Sequence, residues 1–230
     1  MKLLALDTSS IACSVALQLG DSISERHAEL PREHTRLLVP MIRELLDESG
    51  VAIADLDAIV LGNGPGSFIG MRIAAAVAQG LAHAAGLGIV PVSSLAAVAA
   101  QVFTEHDAGE VIVTQDAHMN EVYLGVFAAP LAGPPVALYP ERLHDQSEIA
   151  EIAAGPTRRI AAGAGWTRYP ALREANRSRL DGFAEILYPR ARHLLAMAAR
   201  DLQAGAGLHA SAVTPAYLRH KVAEPPPRSP

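Results

Sequence analysis

A single cysteine, Cys13, stands in 230 residues. One thiol builds neither a disulfide framework nor a thiolate zinc cage. Aromatic residues make up only 4%, so the core must come from aliphatic side chains, and 43 alanines let helices approach closely. No run of about 18 apolar residues escapes interruption. The longest candidate, 73–92, is cut by Gln79, His83 and several glycines, which argues against a membrane span. The opening MKLLALDTSS carries one Lys and meets an Asp at position 7, unlike the layout of a secretory signal. Charged residues are 19% against 50% hydrophobic, which excludes disorder over most of the length. A cytoplasmic protein of one large or two small domains is expected.

Excess positive charge is also missing. The net charge is −5, which argues against autonomous nucleic-acid binding. Residues 1–150 hold 7 Lys+Arg against 18 Asp+Glu, whereas 151–230 hold 12 against 6. A basic back half could face phosphates in an assembly. Solvated surface is the simpler reading of Arg158, Arg159, Arg168, Arg173, Arg177 and Arg179.

Hydrophobic periodicity predicts strands at 2–7, 13–19 and 22–29, with Gly20-Asp21 as the hairpin turn between the last two. Leu37, Leu38, Met41, Ile42, Leu45 and Leu46 form a broad helical stripe ended by Ser49-Gly50. Pro40 lies inside it and should kink it or confine its regular part beyond residue 40. A strand at 57–61, a glycine-rich loop, a helix at 72–85, a strand at 87–92 and a helix from Ser93-Ser94 to about Thr104 follow. The second half repeats the plan, with strands at 110–115, 121–127 and 136–142, a helix at 147–154, a strand at 159–162 and a helix at 189–203 opened by Pro189. ALDTSSIACSVAL and VTQDAHMNEVYLGVF each read as a hydrophobic strand ended by Asp (Asp7, Asp116), a polar turn and an alternating strand. A duplicated β-β-β-α-β-α chain is expected, with lobes at 1–105 and 106–222, a cleft between them and a disordered Pro-rich tail at 223–230.

The strongest local feature is the loop GNGPGSFIG, residues 62–70. Backbone N–H groups at Gly64, Gly66 and Ser67 could hold a phosphate at the following helix N-terminus, or the loop is a tight strand-to-helix connection. It has no Gly-Lys-Ser/Thr, no third glycine at dinucleotide spacing and no nucleophile elbow. Asp7, Thr8 and Ser9 could hold a phosphate or a metal-bound water, or satisfy turn N–H groups. Asp7 and Asp116 would form a catalytic pair if both faced one cleft. Nine histidines show no metal-binding spacing, and Cys13 reads as core. The helix at 71–85 is apolar nearly all round and must be covered on more than one side. Either the second lobe or another protein covers what the sheet does not. The partner-binding candidates are Leu37, Leu38, Met41, Ile42 and Leu45 with Ala75, Ala78, Gln79 and Ala82.

LALDTSS at the start, His34 before LLVPMIRELL, GPGSFIG followed by MRIAAAVAQGLA, then VSSL, DAHMNEVY and Pro215-Ala216-Tyr217-Leu218-Arg219 together resemble the bacterial TsaB (YeaZ) family. The resemblance spans nearly the whole chain. It implies an α/β fold of two ribonuclease-H-like lobes in the actin-like ATPase superfamily. It also implies a non-catalytic partner of TsaD that, with the ATPase TsaE, serves threonylcarbamoyl transfer from threonylcarbamoyl-AMP to N6 of adenosine 37 in tRNAs reading ANN codons. ATP or ADP and a metal ion would then belong to the partner subunits, with no cofactor on this chain alone. The heterodimer interface would map to the helices at about 34–49 and 71–85, which could also form a homodimer when TsaD is absent. Ile69 stands where the family usually has Thr, and His118 where it usually has Arg. Two rivals remain: an ATP-dependent small-molecule phosphotransferase using Asp7 and the glycine loop, and a glycoprotein endopeptidase, for which no HExxH site or triad is visible.

Overall fold

The computed structural model describes residues 1–152 and 156–219. The tail expected at 223–230 and the end of the helix expected at 147–154 lie outside them. In the first half, β1 (Lys2–Asp7), β2 (Ala12–Leu19), β3 (Ser22–Glu29), β4 (Ala58–Gly62) and β5 (Gly88–Val92) form one sheet in the order β3-β2-β1-β4-β5. β1 runs antiparallel to β2 and parallel to β4, so the sheet is mixed. Strand alternation divides β1 between two cores. Leu4 and Leu6 face the cluster under α1 (His34–Ser49) and α2 (Phe68–Ala85), while Leu3 and Ala5 face a second cluster containing α3 (Ser94–Glu105). Gly50 and Gly86 close α1 and α2 in the left-handed conformation. Pro40 lies on the exposed side of α1, which continues through it as one helix.

The second half builds a sheet from β6 (Glu110–Asp116), β7 (Val122–Ala128), β8 (Val136–Ala137), β9 (Arg142–His144), β10 (Arg159–Ala162) and β11 (Gly182–Phe183). The order is β11-β10-β6-β7, with β8 and β9 both pairing the far side of β7. That repeats the first sheet strand for strand. The third strand expected at 136–142 is broken, with Pro140 between its two pieces.

Two helix expectations are corrected. Residues 147–152 carry no helix. Ile149 and Ile152 are buried, and Asn176 ties the segment down by accepting from Ile149 N (2.8 Å) and donating to Ser147 O (3.2 Å). A stretch this short has no margin to nucleate a helix by itself, and these contacts hold it in an irregular form. Residues 189–203 are not one helix either. A 3₁₀ turn, Ala191–Leu194, precedes α6 (Leu195–Gln203). Its opening N–H groups are directed across to the first sheet, where Ala191 N donates to Ser14 Oγ (2.9 Å) and Arg192 N to Glu25 Oε1 (3.2 Å). α4 (Ala164–Arg168) and α5 (Pro170–Asn176), which were not expected, cover the outer face of the second sheet with Trp166 and Leu172.

Between the two sheets lies one continuous core. Leu3, Val60 and Leu95 meet Val111, Phe127, Ile160, Leu194 and Leu195 there. An ion pair reinforces the junction, the half-exposed Arg190 donating twice to the buried Glu25 Oε2 (Nε 3.0 Å, Nη2 2.6 Å).

Candidate functional site

The turn between β1 and β2 and the glycine loop before α2 press against each other. A Cβ on Gly66 would lie 2.1 Å from Ser9 O, and one on Gly70 1.9 Å from Thr8 O. Only glycine permits this approach. Ser67 N donates to Ser9 O (2.6 Å), Thr8 Oγ1 to Gly70 O (2.7 Å), and Ser67 Oγ caps α2 by accepting from Gly70 N (3.2 Å). Gly64 N donates to Ser94 Oγ (3.0 Å) at the start of α3. The loop's polar groups are therefore largely used within the protein.

The Asp7 carboxylate is spent the same way. Oδ1 accepts from Ser9 N and Ser9 Oγ (2.8 Å each), and Oδ2 accepts from Ser94 Oγ (2.6 Å). Burial raises its pKa, and the Ser94 and Ser9 hydrogen bonds only partly counter that. Asp7, Thr8, Gly64 and Gly66 are buried and do not line the cleft, which corrects the phosphate reading for those four. Ser9 and Ser67 do line it.

The cleft is a cavity of about 980 Å³ between the lobes. Its walls include Ser9, His34, Ser67 and Ile69 on one side and Asp116, His118 and Arg168 on the other. Asp116 Oδ1 accepts from Tyr169 Oη (2.7 Å) and His118 N (2.8 Å). Burial, then this bond to Asp116, push the Tyr169 hydroxyl up to about 12. His34 Nε2 lies 2.9 Å from Ser10 O. Because Asp7 is sealed beneath the turn, the expected carboxylate pair does not form. Among the described residues no three His, Cys, Asp or Glu side chains gather where a metal ion could be held. Burial pushes the Cys13 thiol up to about 12, so it stays protonated and unreactive.

The partner stripe is corrected as well. Leu38, Met41, Ile42, Leu45, Ala75, Ala78 and Ala82 point into the chain's own core, Leu37 packs at its margin, and Gln79 Nε2 donates to Val213 O (2.9 Å). What faces outward is the opposite side of the same helices. Only six of the 18 residues of α2 are buried. Ile69 is 71% exposed, Ala76, Gly80 and Ala84 are exposed, and Ile73 and Val77 are half-buried. On α1, Val39 and Pro40 are exposed as well. By length and composition α2 could cross a membrane, yet its inner face packs on the sheet.

Several of the arginines in the basic back half have partners within the protein. Arg159 Nε pairs with Glu110 Oε2 (2.7 Å), Arg158 with Asp107 (3.6 Å) and Arg179 with Glu148, while Arg173 stacks on Phe183 (4.0 Å).

Sequence reasoning missed what the end of the chain does. Leu208 pairs with Ile89 on the open edge of β5. Ala210 and Val213 enter the first core, and Asn63 Nδ2 donates to Thr214 O (3.2 Å). Tyr217 Oη accepts from Arg72 Nε (2.8 Å), and Arg219 Nη2 donates to Ala117 O (2.9 Å) and Glu121 Oε2 (2.6 Å) on the turn between β6 and β7. The PAYLR motif was visible, but nothing local in it shows where it docks.

The chain is 36% identical to a Haemophilus influenzae protein over 96% of this chain and 95% of that one. It is also 36% identical to an Escherichia coli K12 protein over 97% and 96%. Both are named tRNA threonylcarbamoyladenosine biosynthesis protein TsaB. This chain belongs to the TsaB family.

Residues 27–129 also match the model of the family described as "TsaD: tRNA N6-adenosine threonylcarbamoyltransferase". A solved structure, "YeaZ from Pseudomonas aeruginosa", superposes with a TM-score of 0.85 at 36% identity, over 94% of this chain and 99% of that one. Another from the same organism, described as having similarity to peptidase YEAZ, gives 0.84 at 36% identity, over 95% and 99%. The two repeated α/β sheets are thus the ribonuclease-H-like lobes of the TsaB family. In this TsaB-family chain the junction between lobes also holds Glu141, whose carboxylate accepts from Ser93 Oγ and which burial pushes up to about 7. His193 is pushed down to about 4, chiefly by burial.

Proposed function

We propose that this protein acts in tRNA threonylcarbamoyladenosine biosynthesis as a non-catalytic, cytoplasmic scaffold that docks TsaD through the outer faces of α1 and α2. TsaE and tRNA join through that complex, and a homodimer on the same face is the substitute when TsaD is absent. One observation carries the reading: α2 is apolar nearly all round yet buries one face only. A Cβ at Gly80 would meet nothing within 4 Å, so a partner helix could approach the backbone there. Family membership supports the pathway. The sealed Asp7 counts against the phosphotransferase, as does the glycine loop, whose Gly64 and Gly66 are buried and whose Ser67 N–H and hydroxyl are already engaged with Ser9 and Gly70.

Reconstituted threonylcarbamoyl transfer with TsaD and TsaE should depend on adding this chain. Ala76→Glu, on the open face, should keep the melting temperature and lose TsaD on co-purification. Normal capture by Ala76→Glu would sink the docking assignment. Tight ATP–Mg²⁺ binding by the isolated chain in calorimetry would favour the phosphotransferase instead.

A further inference from the structure

Four non-glycine residues among those described have positive φ, and all lie on two turns flanking the interlobe cleft. They are Arg32 (65°) in one lobe, and His118 (59°), Met119 (53°) and Asn120 (61°) in the other. Arg32 and His118 line the cavity. Three consecutive left-handed L-residues are unfavourable, and such a turn persists only where its surroundings hold it.

The hold on 118–120 comes partly from outside its own hairpin. Within the hairpin, Ala117 N donates to Glu121 O and Glu121 N to His118 O (3.0 Å each), and His118 N donates to Asp116 Oδ1 (2.8 Å). From outside comes Arg219, about a hundred residues later. Its Nη2 reaches Ala117 O, Glu121 Oε2 and, at 3.4 Å, His118 O, while Nη1 lies 3.4 Å from Met119 Sδ. Two residues before Arg219, the Tyr217 ring lies 5.4 Å from Phe68, and its hydroxyl takes the Arg72 hydrogen bond. The Arg72 guanidinium sits 3.7 Å over the Phe68 ring. Phe68 and Arg72 belong to the first turns of α2, beside the exposed Ile69.

We propose that residues 208–219 form an interlobe strap that transmits the state of the α2 N-terminal end to the left-handed turn at the mouth of the cleft. One end is anchored in the first lobe by Leu208 on β5 and Val213 in the core. The other is clasped on the second lobe by Arg219. Between them the Phe68–Arg72–Tyr217 stack is the exposed place where a contact on α2 would pull on the strap. Loss of the stack loosens the clasp, and loss of the clasp frees the turn. The coupling belongs to the chain alone and stands whether or not TsaD is the partner that docks on α2.

Hydrogen exchange on the full chain tests this at the amides of 117–121. Arg219→Ala should speed their exchange about tenfold or more, the scale expected for losing a charge-assisted hydrogen bond. Arg72→Ala and Tyr217→Phe alter groups that bond to each other and not to the turn, and each should speed the same amides severalfold. Combining Tyr217→Phe with Arg219→Ala should add nothing to Arg219→Ala alone, since one connection carries both effects. Unchanged exchange at 117–121 in Tyr217→Phe and Arg72→Ala would overturn the strap as a transmitter, as would effects that multiply in the double variant. If Arg219→Ala loses protection in the β1 amides too, and so unfolds as a whole, Tyr217→Phe and Arg72→Ala decide alone.

Discussion

The two lobes share a strand order and differ in how each covers its outer face. The first lays two long helices, of 16 and 18 residues, over its sheet. The second uses α4 and α5, of 5 and 7 residues, and fills the space with Trp166, Tyr169 and Leu172. Short helices there cover the sheet with large buried side chains. The long, alanine-rich α2 closes the first sheet with one side and leaves its other side open. The strand-end aspartates diverge in the same way: Asp7 is sealed by Ser9 and Ser94, whereas Asp116 remains at the cleft with Tyr169 and His118. One topology thus yields a rigid, inward-bonded lobe end and an accessible one, depending on which hydroxyls surround the same carboxylate.

The largest expected effect separates the two sides of α2. Ala78 has no exposed surface, so Ala78→Glu buries an uncompensated carboxylate and should cost about 4 kcal/mol or more, visible as loss of a cooperative melt. The exposed Ala76→Glu should stay within about 0.5 kcal/mol of wild type. Equal melting temperatures for the two would erase the distinction between the faces.

Next comes the aspartate pair. Asp7→Ala strands Ser9 N and two hydroxyls in a buried site and should cost about 3 kcal/mol. Asp116→Ala, at a partly solvated site, should cost about 1 kcal/mol. Urea denaturation of both variants checks the order, and a larger loss at Asp116 would reverse the contrast.

A smaller, pH-dependent effect belongs to the junction. The Glu141 carboxyl sits near 7 instead of its ordinary 4.5 because burial disfavours the anion. The folded state therefore prefers the protonated form. That stabilisation is fully present below about pH 4.5 and is lost as pH rises through about 7. Glu141→Gln should be more stable than wild type above pH 7, by on the order of 2 kcal/mol, with the gap closing toward pH 4.5. A gap that widens on acidification would refute the assignment.

Much of this architecture was legible before any coordinates. The strands at 2–7, 22–29 and 159–162 match the structure residue for residue, because a short apolar run and Gly-bounded turns are local signals. The duplicated order was legible for the same reason. The broken third strand of the second lobe was not, since pairing on β7 and not local pattern decides where β8 and β9 end. The candidate site was less legible still. Asp7, Thr8 and the glycines had the right residue types for phosphate, but what occupied them were Ser94 and Ser9, the first of them 87 residues away from Asp7.

Sequence alone determined that two sheets of one order would form, that α2 would be too apolar to stand uncovered, and to which family the pattern is similar. It did not determine which side of α2 turns inward. A helix apolar nearly all round has no polar face to orient it, so Ala74 and Ala78 went to the sheet and Ile69 to solvent only when β1 and β4 presented a surface to fit. Tertiary structure likewise decided the partners of Asp7 and the landing place of Arg219. Hydrogen-bonding groups seek whichever counterpart folding brings within about 3 Å, and that proximity is written in no local stretch of chain.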